Sequence, residues 1–310
     1  MPLTPQAKAF LKDLEEQNAT PVESLPVDQG RRMFAALTRW HGIKTDLESV
    51  RDCLLPGNTR GRIYRPHCDF IAGDDPLPAI IFFHGGGWVL GDLETHDALC
   101  RRLASEAKCT VIAVDYSLSP EARYPTALNE CYEATVHVIE NASQFNVRPD
   151  RVAVAGDSAG GNLAAAVALR GRDLGFQKID LQVLIYPALL PDYEQASYLE
   201  FKDGFGLTRQ RMIWFWQQYL GRTEPDVYAA PYLAKNLDGL PETFLITAEY
   251  DVLRCDGERF AKRLIDSGVR TTYRRYHGNL HGFVHFAGIF DDGTLAIAEI
   301  GCQCRQHLHR

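Results

Sequence analysis

Apolar residues fill five short stretches of the chain almost without interruption: 79–83, 109–114, 151–155, 181–185 and 243–247. Runs of this length, bounded by polar and turn residues, read as strands buried on both faces. The segment 269–276 repeats the pattern less purely. Between these runs, 95–107, 127–143, 159–174, 252–267 and 294–308 carry apolar residues at helical spacing. Strand and helix alternate, which predicts an α/β fold: a mainly parallel sheet with helices on both faces.

Two intervals stand outside that rhythm. Near the N-terminus, Leu3, Ala7, Phe10, Leu11 and Leu14 recur at helical spacing, and 28–41 do the same with Met33, Phe34, Leu37 and Trp40. Extended segments follow at 48–55 and 60–65, with Leu55-Pro56-Gly57-Asn58 supplying turn residues between them. Residues 188–223 are too many for a simple crossover and include Met212-Ile213-Trp214-Phe215-Trp216, the core of an aromatic helix. The expectation is that 1–50 and 188–223 together form a lid, the second inserted into a main α/β domain spanning 51–310. The lid would cover the carboxyl ends of the strands, where ligands bind in open α/β sheets.

A chain of 310 residues is long enough for this arrangement and needs no disulfide or metal to fold. The formal charge is −7, and Arg31–Arg32, Arg101–Arg102 and Arg274–Arg275 are isolated pairs without a surrounding basic run. That argues against a nucleic acid or other polyanion as partner. No stretch approaches the ~20 apolar residues of a bilayer span, and the first residues lack the basic head and apolar core of a signal peptide. The eight cysteines show no paired spacing and read as free thiols in a reducing cytoplasm. Cys302-x-Cys304, beside His307 and His309, fits no common zinc spacing, so no metal is expected.

The chemistry sits at the ends of the buried runs. Gly156-Asp157-Ser158-Ala159-Gly160 matches G-x-S-x-G between a strand and a helix. A sharp strand-to-helix turn there lifts the serine hydroxyl clear of the sheet, and the glycines let neighbouring segments approach. His84-Gly85-Gly86-Gly87-Trp88 follows the strand at 79–83 directly. Acyl transfer makes an oxyanion that needs backbone N–H donors; Gly86, Gly87 and Ala159 are the candidates, with Gly85 shaping the loop. A serine nucleophile needs a base, and the base an orienting carboxylate, in the chain order Ser, acid, His for this strand pattern. Asp251 and His281 fill those places, each just past a predicted strand. Glu249 and Asp256 compete for the acid role but read equally as solvated loop or first-turn helix charges. His277 and His285 flank His281 at four-residue intervals, yet Gly278 and Gly282 interrupt any helix that would align them, so both read as structural or surface residues. His84 reads as a brace for the glycine loop. Phe34, Trp88, Tyr186, Phe205, Trp214 and Phe283 are candidate pocket aromatics, although large aromatics mostly fill cores.

Taken together, His84-Gly85-Gly86-Gly87-Trp88, Gly156-Asp157-Ser158-Ala159-Gly160-Gly161, Tyr250-Asp251 and His281-Gly282-Phe283 resemble the hormone-sensitive-lipase family of bacterial carboxylesterases. Gly91-Asp92-Leu93-Glu94-Thr95-His96-Asp97 and Leu184-Ile185-Tyr186-Pro187 extend the resemblance, which covers about residues 60–285. It implies the α/β-hydrolase fold with an eight-stranded core and a helical cap. It also implies hydrolysis of short- to medium-chain esters, a small-molecule ester as partner, no cofactor, and a monomer or homodimer. Two places depart from the family pattern. Ser117 stands where an arginine is usual in Asp115-Tyr116-Ser117-Leu118-Ser119-Pro120-Glu121, which puts a local ion pair in doubt. Asp251-Val252-Leu253-Arg254-Cys255 replaces Asp-Pro-Leu-Arg-Asp, placing a thiol near the acid. An amidase or formamidase with the same triad is an alternative. So is a small-molecule receptor on the same fold, although a receptor would be expected to lack a triad member and all three are present.

Overall fold

The computed structural model describes residues 1–68 and 75–310. Eight strands form one sheet: β1 Ser49–Leu54, β2 Arg60–Arg65, β3 Leu77–Phe83, β4 Thr110–Asp115, β5 Val147–Asp157, β6 Leu181–Ile185, β7 Glu242–Tyr250 and β8 Thr271–Leu280. Their spatial order is β1-β2-β4-β3-β5-β6-β7-β8. β2 runs antiparallel to both neighbours, and every pair from β4 through β8 is parallel. The chain has the α/β-hydrolase fold.

Successive side chains of a strand point to opposite faces, so an unbroken apolar run must meet two cores. It does. Ile81 and Phe83 join Ile112, Val114, Val154 and Leu184 in one cluster. Ile80 and Phe82 join Val111, Ala113, Ala155 and Val183 in the other. The first face is covered by α4 Thr126–Glu140, the short α5 Ala142–Phe145, α6 Ala159–Asp173 and α9 Arg254–Asp266, which supply Leu128, Phe145, Leu163 and Phe260. The second is covered by α3 Asp97–Ala107 and α10 Asp291–Leu308, which supply Leu103 and Ile297. At roughly 25 cal/mol per Å² of apolar area, each buried leucine, valine or phenylalanine in these layers contributes about 1.5–3 kcal/mol.

Two further groups of elements stand at the carboxyl ends of the parallel strands. One comprises α1 Pro5–Gln17, α2 Val27–Ala35 and the 3-10 turns Val22–Ser24 and Ala36–Trp40. Thr4 caps α1 by accepting from Ala7 N–H, with Pro5 at its first position. The other lies between β6 and β7 and contains α7 Ala196–Glu200 and α8 Arg209–Leu220, the latter capped by Thr208 accepting from Arg211 N–H. The two groups touch through the ion pair of Arg211 with Glu23. Where a single helix is expected over 28–41, α2 tightens into a 3-10 turn at Ala36.

Ser117, in the place of the usual arginine, donates its N–H and hydroxyl to the two oxygens of Glu130 at 2.6 and 2.7 Å. Hydrogen bonds stand there in place of an ion pair. No helix among the described residues is long and apolar enough to cross a membrane.

Candidate active site

Ser158 follows β5 immediately and is the N-cap of α6, with φ 55° and ψ −115°. A positive φ is strained for any residue with a Cβ. The surroundings hold it there: Ser158 N–H donates to Ile185 O at 2.8 Å, and Ser158 O accepts from Asn162 and Ala188 N–H. Gly160 makes this turn possible, because a Cβ at that position would collide with the carbonyl group of Phe83 at the end of β3.

His281 lies just beyond β8 and Asp251 just beyond β7. His281 Nε2 is 3.0 Å from Ser158 Oγ, and His281 Nδ1 is 2.7 Å from Asp251 Oδ2. The other carboxylate oxygen of Asp251 accepts from Leu253 N–H at 2.9 Å. Asp251 is 1% exposed, so it cannot turn away to solvent and its orientation toward His281 is fixed. With Asp251 accepting at Nδ1, the Nε2 lone pair faces the serine hydroxyl, the tautomer a general base requires. Tyr186 packs its ring 4.6 Å from that of His281. Cys255 is half-buried, and its N–H donates to Ser197 Oγ at the start of α9.

The glycine loop enters from β3. Gly86 and Gly87 take φ values of 115° and 63°, open to glycine at little cost. A Cβ on Gly87 would overlap the ring of Phe215. Gly85 N–H is committed, donating to Asp157 Oδ1 at 2.8 Å with His96 Nε2 beside it at 3.3 Å. No acceptor among the described residues takes the N–H of Gly86 or Gly87, and Ala159, in the first turn of α6, has no intrahelical acceptor. Three backbone donors therefore stand near Ser158 without partners. His84 braces the loop: its Nδ1 lies 2.8 Å from Gly85 O, its carbonyl accepts from Tyr116 OH, and its ring stacks on that tyrosine.

Beneath the loop lies a buried group of imidazoles. His96 and His285 rings are 4.2 Å apart, and His41 and His285 rings 4.0 Å. Burial pushes the His285 imidazole well below its ordinary pKa, and the neighbouring histidines His96, His41 and His84 push it further. His41 is lowered to about 4, again chiefly by burial. Asp157 shows the opposite balance. Burial alone would raise it, but His96 and the N–H of Gly85 hold its carboxyl below the usual range. Ligand-type atoms of His96, Asp157 and His285 come within 4.8 Å of one another, and two of the three already hold Gly85.

Above Ser158 opens a cavity of about 180 Å³. Its walls include Phe10, Phe34 and Trp40 from the N-terminal elements, Leu207 and Phe215 from the segment before β7, and Phe286 beyond His281. Of the six candidate aromatics, Phe34 alone lines it. Trp88 stacks on Tyr219 and touches Trp216 in the core. Phe283 is fully buried between Tyr276 and Tyr186. Tyr186 supports His281 from behind. Phe205 packs on Phe201 and Tyr250, and Trp214 against Phe215. The pocket also takes Met33, Leu37 and Trp40, which are not among those six candidates although their helical spacing in the sequence places them on one face. His285, expected to be structural or surface, is buried as a structural residue would be, and it also forms part of the cavity wall.

The competing acids have other duties. Glu249 accepts from Gly278 N–H and lies 3.3 Å from His277 Nδ1. Asp256 is not solvated: it is 1% exposed and accepts from Leu189 N–H, Leu190 N–H and Gln195 Nε2, fixing the chain after β6.

Fold and site together define a serine hydrolase of the α/β-hydrolase class. A family model described as alpha/beta hydrolase fold matches residues 80–285, and the chain belongs to that family, in its hormone-sensitive-lipase-like branch. An arylesterase of Saccharolobus solfataricus is 34% identical over 92% of this chain and 93% of its own length. An ethyl acetate hydrolase of Pseudomonas putida is 32% identical over 99% of this chain and 100% of its own. The solved structure of an ester hydrolase from the metagenome of Lake Arreo, complexed with a derivative of bipyridine phosphonate, matches at a TM-score of 0.94 and 36% identity. It covers 99% of this chain and 100% of that one.

Proposed function

We propose that the protein is a carboxylesterase that cleaves small acyl esters through an acyl-enzyme formed on Ser158. The observation that carries this is the continuous line Asp251–His281–Ser158, with separations of 2.7 and 3.0 Å, at the floor of an apolar cavity. His281 Nε2 takes the hydroxyl proton as Ser158 Oγ attacks the ester carbonyl carbon, and Asp251 stabilises the imidazolium that forms. The carbonyl oxygen becomes an anion facing the N–H groups of Gly86, Gly87 and Ala159. Each such donor lowers the barrier by about 3 kcal/mol. The imidazolium then protonates the departing alkoxide, the alcohol leaves, and water attacks the acyl group with His281 again as base.

Residues 1–50 and 188–223 act in this reading as a cap over the catalytic domain, and a cavity of about 180 Å³ suits short to medium acyl chains. The names of the relatives support esters over amides, and the complete hydrogen-bonded triad speaks against a receptor that has lost catalysis. The free state of the cysteines supports a reducing compartment, the cytoplasm.

The test is a series of p-nitrophenyl acyl esters on wild type and Ser158→Ala. Turnover should vanish in the variant with its circular dichroism unchanged, and wild-type rates should fall for long chains. Activity retained in Ser158→Ala would overturn the assignment.

A further inference from the structure

Among the described residues, one charged side chain lines the apolar cavity besides Asp157 and the members of the triad: Arg211, in the first turn of α8. Its side chain is 27% exposed and lines the cavity, whereas its partner Glu23 is 11% exposed and is not among the lining residues. Arg211 Nε donates to Glu23 Oε2 at 2.9 Å, and Nη1 donates to Gly206 O at 3.3 Å. Nη2 has no acceptor among the described residues.

A guanidinium is a planar fork of five donors and cannot rotate one nitrogen away independently. Anchored at Nε and Nη1, Arg211 keeps Nη2 in a fixed direction. A hydrocarbon chain filling the cavity strips water from that donor and offers nothing in return, which is unfavourable. A ligand oxygen at the same place recovers the bond. The charge balance decides which oxygen. Glu23 already neutralises Arg211, so a substrate carboxylate would lose its hydration and face a second carboxylate at close range. A neutral carbonyl or ether oxygen meets the donor without either penalty.

We propose that Arg211 is a specificity-determining residue that selects esters carrying a second, neutral oxygen acceptor over plain hydrocarbon esters of the same length. The proposal rests on the ester-hydrolase reading above and adds which esters the cavity prefers.

The experiment compares kcat/KM for ethyl esters of 4-, 5- and 6-oxo fatty acids with ethyl esters of the parent acids, and with monoethyl half-esters of the matching diacids. At least one oxo ester should exceed its parent by about tenfold, the worth of one hydrogen bond to a charged donor, with the difference carried by KM. In the double variant Glu23→Gln/Arg211→Met, which removes the donor without stranding the carboxylate, that ratio should fall to about one. A wild-type ratio near one for every spacing overturns the proposal, and this arm needs no variant to fold. So does a ratio unchanged in the double variant, or a half-ester that outruns the oxo ester, which would mean recognition of charge. Hydrolysis of none of the esters would instead overturn the underlying ester-hydrolase reading and this proposal with it.

Discussion

In the proposed mechanism Asp251 orients the base, His281. Its two oxygens are separately engaged, one by Leu253 N–H and one by His281 Nδ1. Asparagine in its place would turn an amide N–H₂ toward one of those partners and favour the imidazole tautomer with its proton on Nε2, facing Ser158. Asp251→Asn should lower kcat by roughly 10³–10⁴ with KM little changed, measured by steady-state kinetics on a short acyl ester. The meeting of Ser158, Asp251 and His281 was legible in the sequence because acyl transfer would prescribe their types, their order and their position after buried strands. Asp157 was not. Its carboxylate holds Gly85, 72 positions away in the chain, and no local pattern encodes a pairing between two loops. The same holds for Asp256, whose place in a helix's first turn reads as solvated although it is buried among three donors.

Helix phase explains what was legible at the scale of elements. The aromatic stretch in α8 was expected to face the cavity through Trp214, and it does so through its neighbour Phe215. One residue of error turns a side chain by about 100° around a helix of 3.6 residues per turn. An all-round aromatic sequence gives periodicity nothing to choose by. In α2 and the 3-10 turn after it the polar positions are distinct, and Met33, Phe34, Leu37 and Trp40 fall on one face and reach the cavity together. Phe215 has a double role, since it walls the cavity and covers Gly87. Phe215→Ala should therefore widen the site at the cost of a looser glycine loop. The kcat/KM ratio of octanoyl to acetyl p-nitrophenyl ester should rise about tenfold while the acetyl rate itself falls. Equal losses on both esters would show that the side chain serves the loop alone.

The whole molecule was legible as a layered α/β sheet because its central strands are apolar on both faces, and the two cores divide those residues alternately. What sequence could not give was the burial of several imidazoles in one place. His41 is depressed to about 4 from an ordinary value of 6.5, chiefly by burial, and burial also holds His285 well below its ordinary value. Between those values the unfolded chain binds more protons than the folded one, so stability rises with pH across that window. Above 6.5 the penalty is absent, and it grows as pH falls toward 4. Thermal unfolding followed from pH 7.5 to 4.5 should show Tm dropping in that interval, and His41→Phe should flatten the drop; a slope unchanged in that variant would place the sensitivity elsewhere. The spacing of the triad has a consequence in time. Ser158 and His281 are 123 positions apart, and at about 5–20 residues per second a ribosome needs roughly 6–25 s to travel from one to the other. Throughout that interval the nascent chain carries its serine as an ordinary alcohol. In the proposed mechanism the hydroxyl gains its base only once β8 pairs with β7 and brings His281 beside it.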